Sequence, residues 1–205
     1  MADQNSTKHP QRFTGAFDIV AMAASAGGLN AIITILSGLP ASFPACILVV
    51  QHLDPHYKSL LPEILARRTR LKVAAAQEGS VVEAGTVLVA PPNKHLLVNP
   101  EGTLSLSGSE LVHFVRPSAD LLFESAAAAY RDRVIGVVLS GTGSDGNMGV
   151  QAIKNMGGTV IAQDPSDSEF AGMPEAAIAT NSVDRVLPLD DISKILMELV
   201  EKGIA

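Results

Sequence analysis

The chain has little of three things: cysteine, positive charge and long uninterrupted apolar runs. Cys46 is the single cysteine among 205 residues, so no intramolecular disulfide can form. This usage fits a reducing cytosol. Cys46 itself opens an apolar, strand-like run, where a thiol packs as a small hydrophobic group.

The charge balance argues against a nucleic-acid-binding protein, and the lack of a long apolar run argues against a membrane-spanning one. Fifteen Lys and Arg against 21 Asp and Glu leave a net charge of −6. Nucleic-acid affinity depends mostly on neutralising phosphates, so nucleic acid is not an expected partner. No run reaches the roughly 18 apolar residues that a membrane-spanning helix needs. We therefore expect a cytoplasmic protein that is not embedded in a membrane.

The organisation along the chain predicts one domain behind a short tail. Residues 1–16 include the polar stretch Lys8–Arg12 and no apolar core, so they are interpreted as a flexible tail rather than a secretory signal. Residues 17–205 alternate strand-like and helix-like segments. This alternation predicts an α/β fold, a three-layer α/β/α Rossmann-like arrangement around a mainly parallel sheet.

The individual elements follow from periodicity and from turn residues. The predicted strands are Phe17–Ala24, Ala45–Gln51, Lys72–Ala76, Val134–Leu139 and Thr159–Gln163. The predicted helices are Leu29–Leu39, Lys58–Thr69, a helix capped by Ser118 that runs to Tyr130, Met148–Met156, Pro174–Thr180 and Asp190–Lys202. Between residues 79 and 107, three short segments predict an antiparallel region with a hairpin turn at Asn99–Gly102: Thr86–Ala90, His95–Asn99 and Thr103–Ser107.

Three of the predicted strands are followed closely by a serine, a histidine and an aspartate, the residue types of a hydrolytic triad. Ser25 and His52 each come directly after a strand, and Asp145 lies in the glycine-rich loop after a third. In an open α/β sheet, reactive groups gather outside the carboxyl ends of parallel strands. A triad is recognised by geometry and role, not by chain order, so these residues form a candidate hydrolytic triad.

Ser25 lies in a run of small residues, Ala23–Gly28, that approximates the nucleophile elbow G-x-S-x-G with Ala23 in place of the first glycine. Free backbone N–H groups at the start of the following helix can stabilise an oxyanion. The alternative is that Ser25 is only the N-cap of that helix.

His52 follows five consecutive apolar residues and Gln51, so it is expected at the same sheet edge as Ser25. A histidine side chain that is mostly neutral at pH 7 can accept the serine proton. A zinc site is the competing hypothesis, because His52 and His56 are four residues apart. Pro55 between them disfavours the helix that such a pair needs.

The loop Gly141–Gly146 has the spacing G-x-G-x-x-G between a strand and a helix, and Asp164 ends the next strand. This pattern indicates a dinucleotide site. Asp145, however, would place a carboxylate where a pyrophosphate binds, whereas in a hydrolase it can orient His52. Ser140 and Ser144 are rival nucleophiles in this loop, but neither has an elbow of its own.

A series of short strings then runs in order through the chain: Ser25–Gly28, Gln51-His52, Ala90–His95, Arg116–Phe123, Ser140–Gly146 and Gly172–Ala176. Together they resemble the catalytic domain of CheB-type protein-glutamate methylesterases. The resemblance implies a Rossmann-like domain that hydrolyses glutamate γ-methyl esters on chemoreceptor helices and releases methanol. Family members also deamidate selected glutamines.

By that resemblance Ser25 is the nucleophile, His52 the general base and acid, and Asp145 the residue that orients His52. Backbone groups near Ala26 and Thr142 contribute the oxyanion and substrate site. No metal and no organic cofactor is implied.

Two departures from the family pattern remain. Ala26 lacks the hydroxyl that some relatives carry beside the nucleophile. Familiar members also carry an N-terminal receiver domain, so a signalling partner in its place is one expectation for regulation. A catalytically silent module that docks on receptors is the remaining alternative.

Overall fold

The computed structural model describes residues 13–52 and 59–202. Its centre is a sheet of seven strands in the order β3-β4-β2-β1-β7-β8-β9, with every neighbouring pair parallel. These strands are β1 (Ile19–Ala24), β2 (Cys46–Gln51), β3 (Lys72–Ala75), β4 (Thr86–Val89), β7 (Val134–Val138), β8 (Thr159–Gln163) and β9 (Arg185–Leu187). Two further strands, β5 (His95–Val98) and β6 (Leu104–Ser107), form a separate antiparallel pair.

Helices cover both faces of the sheet. They are α1 (Gly28–Ser37), α2 (Leu61–Ala66), α3 (Ala119–Tyr130), α4 (Asn147–Asn155), α5 (Gly172–Ala179) and α6 (Leu189–Lys202). The central strand β1 contributes side chains to the core on each face of the sheet, because successive side chains of a strand point to opposite faces. Val20 and Met22 join the core under α1 and α6, whereas Ile19 and Ala21 join the core under α3 and α4. The predicted three-layer α/β/α fold is confirmed.

The antiparallel prediction for residues 79–107 is partly wrong. Thr86–Ala90 was expected in the antiparallel region, but β4 pairs in parallel with β2 and β3 in the main sheet. Its last three residues are buried, and a short apolar run of this kind is typical of an inner strand of a parallel sheet. The hairpin of β5 and β6 is confirmed.

The sequence analysis did not predict β9. This strand has only three residues, two of them exposed, so it lacks the apolar run by which a buried strand is recognised.

The connections place a crevice beside β1. From β1 the chain continues to β2 on one side, whereas β7 lies on the other side. Ligands bind at such a topological switch point, outside the carboxyl ends of the strands. The register pairs Ala24 with Gln51 and Ala23 with Val138, so Ser25, His52 and the glycine loop begin side by side.

The described residues begin at Phe13, so residues 1–12 of the predicted tail lie outside them. The Ala16 N–H donates to the Val200 carbonyl at 2.8 Å, which joins the segment before β1 to α6. Within the described ranges, no helix has both the length and the hydropathy needed to cross a bilayer.

Candidate active site

Ser25 lies in a tight turn between β1 and α1 that both neighbouring strands support. Its N–H donates to the Ser140 carbonyl at 3.0 Å, and the Gln51 side-chain amide donates to the Ser25 carbonyl at 2.7 Å. Gly27 has φ 73°, and a Cβ there would lie 2.7 Å from the Ser140 hydroxyl oxygen. The N-cap of α1 is Gly27, so the alternative of Ser25 as the N-cap is wrong.

His52 is the first residue after β2, directly beside Ser25 in the parallel register. Its N–H donates to the Ala24 carbonyl at 3.0 Å, which extends the pairing of β1 and β2 by one step. Its side chain is mostly buried, with 13% exposed, and Nε2 lies 2.8 Å from Oδ2 of Asp145. The structure thus brings the predicted His52 and Asp145 into direct contact.

The Asp145 carboxylate is buried at the amino-terminal end of α3. The Ser118 hydroxyl donates to Oδ1 at 2.8 Å, and the Asp120 N–H donates to the same oxygen at 3.2 Å. The Ala119 N–H donates to Oδ2 at 2.5 Å. Free N–H groups at a helix start carry partial positive charge, so α3 stabilises this carboxylate in its ionised form.

The ionisation of Asp145 determines the tautomer of His52. Burial opposes ionisation, but hydrogen bonds from His52, the Ala119 N–H and the Ser118 hydroxyl outweigh it and hold the pKa of Asp145 below its ordinary value. An ionised carboxylate only accepts, so Nε2 of neutral His52 carries the proton. Nδ1 is therefore the nitrogen left to accept a proton from a nucleophile.

Ser118 was predicted to cap α3, and it does occupy the N-cap position. Its side chain makes no capping hydrogen bond, because its hydroxyl donates to Asp145 instead. The carboxylate of Asp145, from a distant loop, accepts the helix N–H groups in its place. The position was predicted correctly and the capping group was not.

Ala26 and Thr142 lie on the two loops that border the serine. Ala26 is half-buried, Thr142 is exposed, and the Ser140 hydroxyl donates to the Ala26 carbonyl at 2.8 Å. Among the described residues, neither the Ala26 N–H nor the Thr142 N–H donates a hydrogen bond. Both donors are available to an oxyanion.

A family model described as CheB methylesterase matches residues 20–196. The chain belongs to the CheB methylesterase family. It is 41% identical, over 92% of its own length and 97% of the relative's, to a putative protein-glutamate methylesterase/protein-glutamine glutaminase of Leptospira interrogans. The crystal structure of the Thermotoga maritima CheB methylesterase catalytic domain is similar with a TM-score of 0.86 and 37% identity, covering 90% of this chain and 99% of that one.

Other CheB-family relatives are longer than this chain. A protein-glutamate methylesterase, FrzG, of Myxococcus xanthus is 40% identical over 90% of this chain but over only 55% of its own length. A protein-glutamate methylesterase/protein-glutamine glutaminase of Anaeromyxobacter dehalogenans is 44% identical over 89% of this chain and 53% of its own length. The chain spans about half the length of these relatives.

In this CheB-family chain, the sequence analysis did not assign two supporting residues, Gln51 and Met173, to the site. Gln51 donates to the carbonyls of both Ser25 and His52, at 2.7 and 3.2 Å. Met173 lies against Gly141, where a Cβ would be 2.3 Å from its sulfur. Both residues occur in the family-like strings, which was the available signal, but the tertiary contacts that define their roles leave no local pattern.

The two rival serines differ from Ser25 in their surroundings. Ser140 is buried, with its hydroxyl donating to Ala26 and accepting from the Phe170 N–H at 3.0 Å. Ser144 is exposed at the surface of the loop. The Ser25 hydroxyl makes no hydrogen bond to a described residue. Catalytic hydrogen bonds often close only when substrate binds.

The dinucleotide hypothesis for the glycine loop loses support. At the glycine loop, the ionised Asp145 lies one residue before Gly146, the N-cap of α4, where a pyrophosphate would have to bind. Asp164 accepts hydrogen bonds from the hydroxyl and the N–H of Ser166. His56, the second histidine of the zinc hypothesis, lies outside the described residues.

A shallow apolar cavity of about 200 Å³ lies farther along the same sheet edge. Its lining residues end β3, follow β4 or lie near the start of α2: Ser59, Pro62, Ala75, Ala90, Pro91 and Pro92. None of the three triad candidates lines it. Ser25, His52 and Asp145 thus lie outside this cavity.

Proposed function

We propose that this CheB-family chain hydrolyses glutamate γ-methyl esters on chemoreceptor proteins in the cytoplasm, with Ser25, His52 and Asp145 as its catalytic triad. The observation that carries the proposal is the 2.8 Å contact between His52 Nε2 and the Asp145 carboxylate, directly beside the Ser25 turn. The family of the chain supplies the substrate class, methylated receptor helices.

In the acylation step, the Ser25 oxygen attacks the ester carbonyl carbon while His52 Nδ1 takes the serine proton. Asp145 stabilises the resulting imidazolium without itself taking the proton. The N–H groups of Ala26 and Thr142 are assigned to the oxyanion of the tetrahedral intermediate. When the carbon–oxygen bond to the methoxy group breaks, His52 returns the proton and methanol leaves.

The second step regenerates the enzyme. Water attacks the glutamyl ester on Ser25, and His52 accepts a proton from that water. The proton then goes to the Ser25 oxygen as the acyl bond breaks, which leaves a glutamate side chain on the receptor. The reaction consumes one water and forms one methanol, and every bond and proton in the two steps is accounted for by Ser25, His52, the ester and water.

The same acyl-enzyme would form from a glutamine side chain. His52 would then protonate the amide nitrogen, and ammonia would leave in place of methanol. The printed names of the Leptospira interrogans and Anaeromyxobacter dehalogenans relatives include protein-glutamine glutaminase, which favours this second activity.

The deciding experiment measures methanol release from a methylated receptor fragment by wild-type protein, Ser25→Ala and His52→Ala. We expect activity only in the wild type, with all three proteins folded by circular dichroism. Ser144→Ala is the matched control for the hydroxyl, because Ser144 is exposed at the surface of the neighbouring glycine loop, and it should release methanol at the wild-type rate. Methanol release that persists in Ser25→Ala would contradict the proposal.

A serine-directed fluorophosphonate distinguishes an active esterase from the alternative, a catalytically silent docking module. This reagent forms a bond to an activated serine oxygen with loss of fluoride. Wild-type protein should be labelled at Ser25, as located by mass spectrometry of the peptide. A protein that binds the receptor fragment but is never labelled would favour the docking module.

A further inference from the structure

His95 contacts the helix start that holds Asp145. It is the first residue of β5 and is completely buried. Its Nδ1 accepts the N–H of Ser118 at 3.1 Å, and its Nε2 lies 3.0 Å from the carbonyl of Glu110. The first contact holds the N-cap of α3 against β5, and the second holds the segment between β6 and α3.

The two contacts of His95 require a single tautomer. A carbonyl oxygen only accepts, so Nε2 must carry a proton to bond Glu110. A backbone N–H only donates, so Nδ1 must present a lone pair to Ser118. The buried imidazole is therefore neutral with its proton on Nε2, and both of its nitrogens are satisfied.

His95 reaches the triad through one residue. Ser118 accepts no hydrogen bond from α3 through its side chain but donates its hydroxyl to Asp145 at 2.8 Å. The next N–H, of Ala119, donates to the oxygen that contacts His52. A shift of Ser118 would therefore move two of the donors that fix the orientation of the Asp145 carboxylate.

We propose that His95 is a positioning residue for the esterase reaction: its Nδ1 fixes Ser118, which in turn fixes Asp145 and the tautomer of His52. The inference rests on the proposed triad, and nothing in the triad motif itself includes His95. Residues that hold a reacting group in place affect rate by orientation, and a misplacement of about 1 Å can cost on the order of 100-fold.

Two substitutions separate the two nitrogens of His95. In His95→Asn, the side-chain oxygen lies near the position of Nδ1, so it can accept from Ser118 while the bond to Glu110 is lost. In His95→Gln, the longer side chain reaches the position of Nε2, so its amide can donate to Glu110 while the Ser118 N–H loses its acceptor. Each variant buries an amide and breaks one hydrogen bond.

The variants are compared by kcat and KM for methanol release and by the rate at which fluorophosphonate labels Ser25. We expect His95→Gln to lose kcat and labelling rate by on the order of tenfold or more with KM unchanged. His95→Asn should restore most of both rates. Equal rates in the two variants, whether high or low, would overturn the proposal.

Two controls keep the result interpretable. Leu196→Ala, a truncation in the buried face of α6, should lower the melting temperature without the selective loss of labelling rate, since Leu196 lies in the core on the other side of the sheet. Nitrogen-15 imidazole shifts of the wild-type protein read the tautomer of His95 directly, and a proton on Nδ1 would overturn the proposal even if a variant fails to fold.

Labelling also separates this inference from the proposed function. If the receptor ester is not the substrate, methanol release fails in the wild type while labelling of Ser25 still reports the triad. If His95 has only a structural role, wild-type methanol release is normal and the Asn and Gln variants do not differ.

Discussion

Asp145 serves both the site and the fold, because its carboxylate accepts hydrogen bonds from His52 and from the start of α3. A cap supplied by a side chain far away in sequence ties the two parts together. The orientation of the histidine and the first turn of a helix of 12 residues therefore depend on the same two oxygens.

Asp145→Asn is the first residue-scale prediction. The side-chain NH₂ of asparagine replaces one accepting oxygen, so either His52 or α3 loses its acceptor. We expect kcat to fall on the order of 10⁴-fold, through the wrong histidine tautomer. The free energy of unfolding should fall by about 1–3 kcal/mol, because a buried donor loses its partner. Steady-state kinetics and urea denaturation measure the two effects, and wild-type kcat in this variant would exclude Asp145 from the triad.

The pH dependence of stability follows from the lowered pKa of Asp145. A carboxylate that ionises more readily in the folded state adds stability that is present above its unfolded pKa, about 3.9. This stability is lost as the pH falls through the lower, folded-state pKa. The difference in unfolding free energy between wild type and Asp145→Asn should thus shrink when urea denaturation is repeated at pH 7, 4 and 3. A constant difference would contradict the ionised, hydrogen-bonded carboxylate.

The pKa of Asp120 is shifted in the opposite direction to that of Asp145. Its side chain is buried, and burial raises its pKa despite a hydrogen bond from the Gly149 N–H; the charge of Asp145 raises it further. Its Oδ2 has no hydrogen-bond partner among the described residues, although His113 Nε2 lies 3.3 Å away. Protonation of Asp120 therefore favours folding as the pH falls. Because Asp120 is present in both proteins, the effect of Asp145 is measured as the difference in unfolding free energy between wild type and Asp145→Asn.

At the residue scale, the sequence predicts that Ser25 and His52 lie at the same sheet edge, because a strand end is a local feature and parallel strands align their ends. It predicts Asp145 through its glycine loop. Ser118 and His95 could not be assigned their roles, because each acts on a residue 23 or more positions away. Such contacts exist only once β5, α3 and the glycine loop have packed.

At the scale of elements, the glycine loop packs closely between the serine turn and α5. Gly141 donates to the Phe170 carbonyl and accepts from the Met173 N–H, both at 2.9 Å. A Cβ at Gly141 would lie 2.3 Å from the Met173 sulfur and 2.8 Å from Cβ of Ser25. The loop after β7 can therefore approach Ser25 only because this position has no side chain.

Gly141→Ala should displace the serine turn. We expect a loss of fluorophosphonate labelling at Ser25 together with a destabilisation of about 1–3 kcal/mol from overpacking. Gly79→Ala is the matched control, because Gly79 has φ 76° and no atom within 4 Å of a Cβ. The control should lose about 1 kcal/mol from strain alone and keep the labelling rate. Equal labelling of the two variants would show that the loop tolerates the added methyl group.

Elements were predicted from the sequence where an apolar run was long, as in β1, β2 and β7. The assignment of β4 to the antiparallel region failed because its partners β2 and β3 are chosen by tertiary packing, which a segment of four residues does not encode. Short strands such as β9 carry even less local information.

At the scale of the whole molecule, the two ends of the central strand carry different groups. Ser25 follows β1, whereas Asp18 precedes it and forms an ion pair with Arg133 at 2.7 and 2.6 Å. Six residues of strand separate the two sites, a distance of roughly 20 Å. Stability at the amino edge and chemistry at the carboxyl edge can therefore be changed independently.

Asp18→Asn tests this separation. The hydrogen bonds that Arg133 donates to the Asp18 carboxylate raise the pKa of Arg133, but that guanidinium is 42% exposed, so solvent screens much of the interaction. We expect a loss of about 1 kcal/mol in unfolding free energy, with kcat for methanol release within twofold of the wild type. A large fall in kcat would show that the two edges are coupled.

The outermost strands of the sheet, β3 and β9, are only four and three residues long and begin with the exposed cations Lys72 and Arg185. An unpaired strand edge is a template for another chain, and short edges with positive charge discourage such pairing. Two copies that meet edge to edge with their strands parallel would bring like charges together. The sheet is thereby protected against growth into aggregates at the high concentrations at which an overexpressed protein is purified.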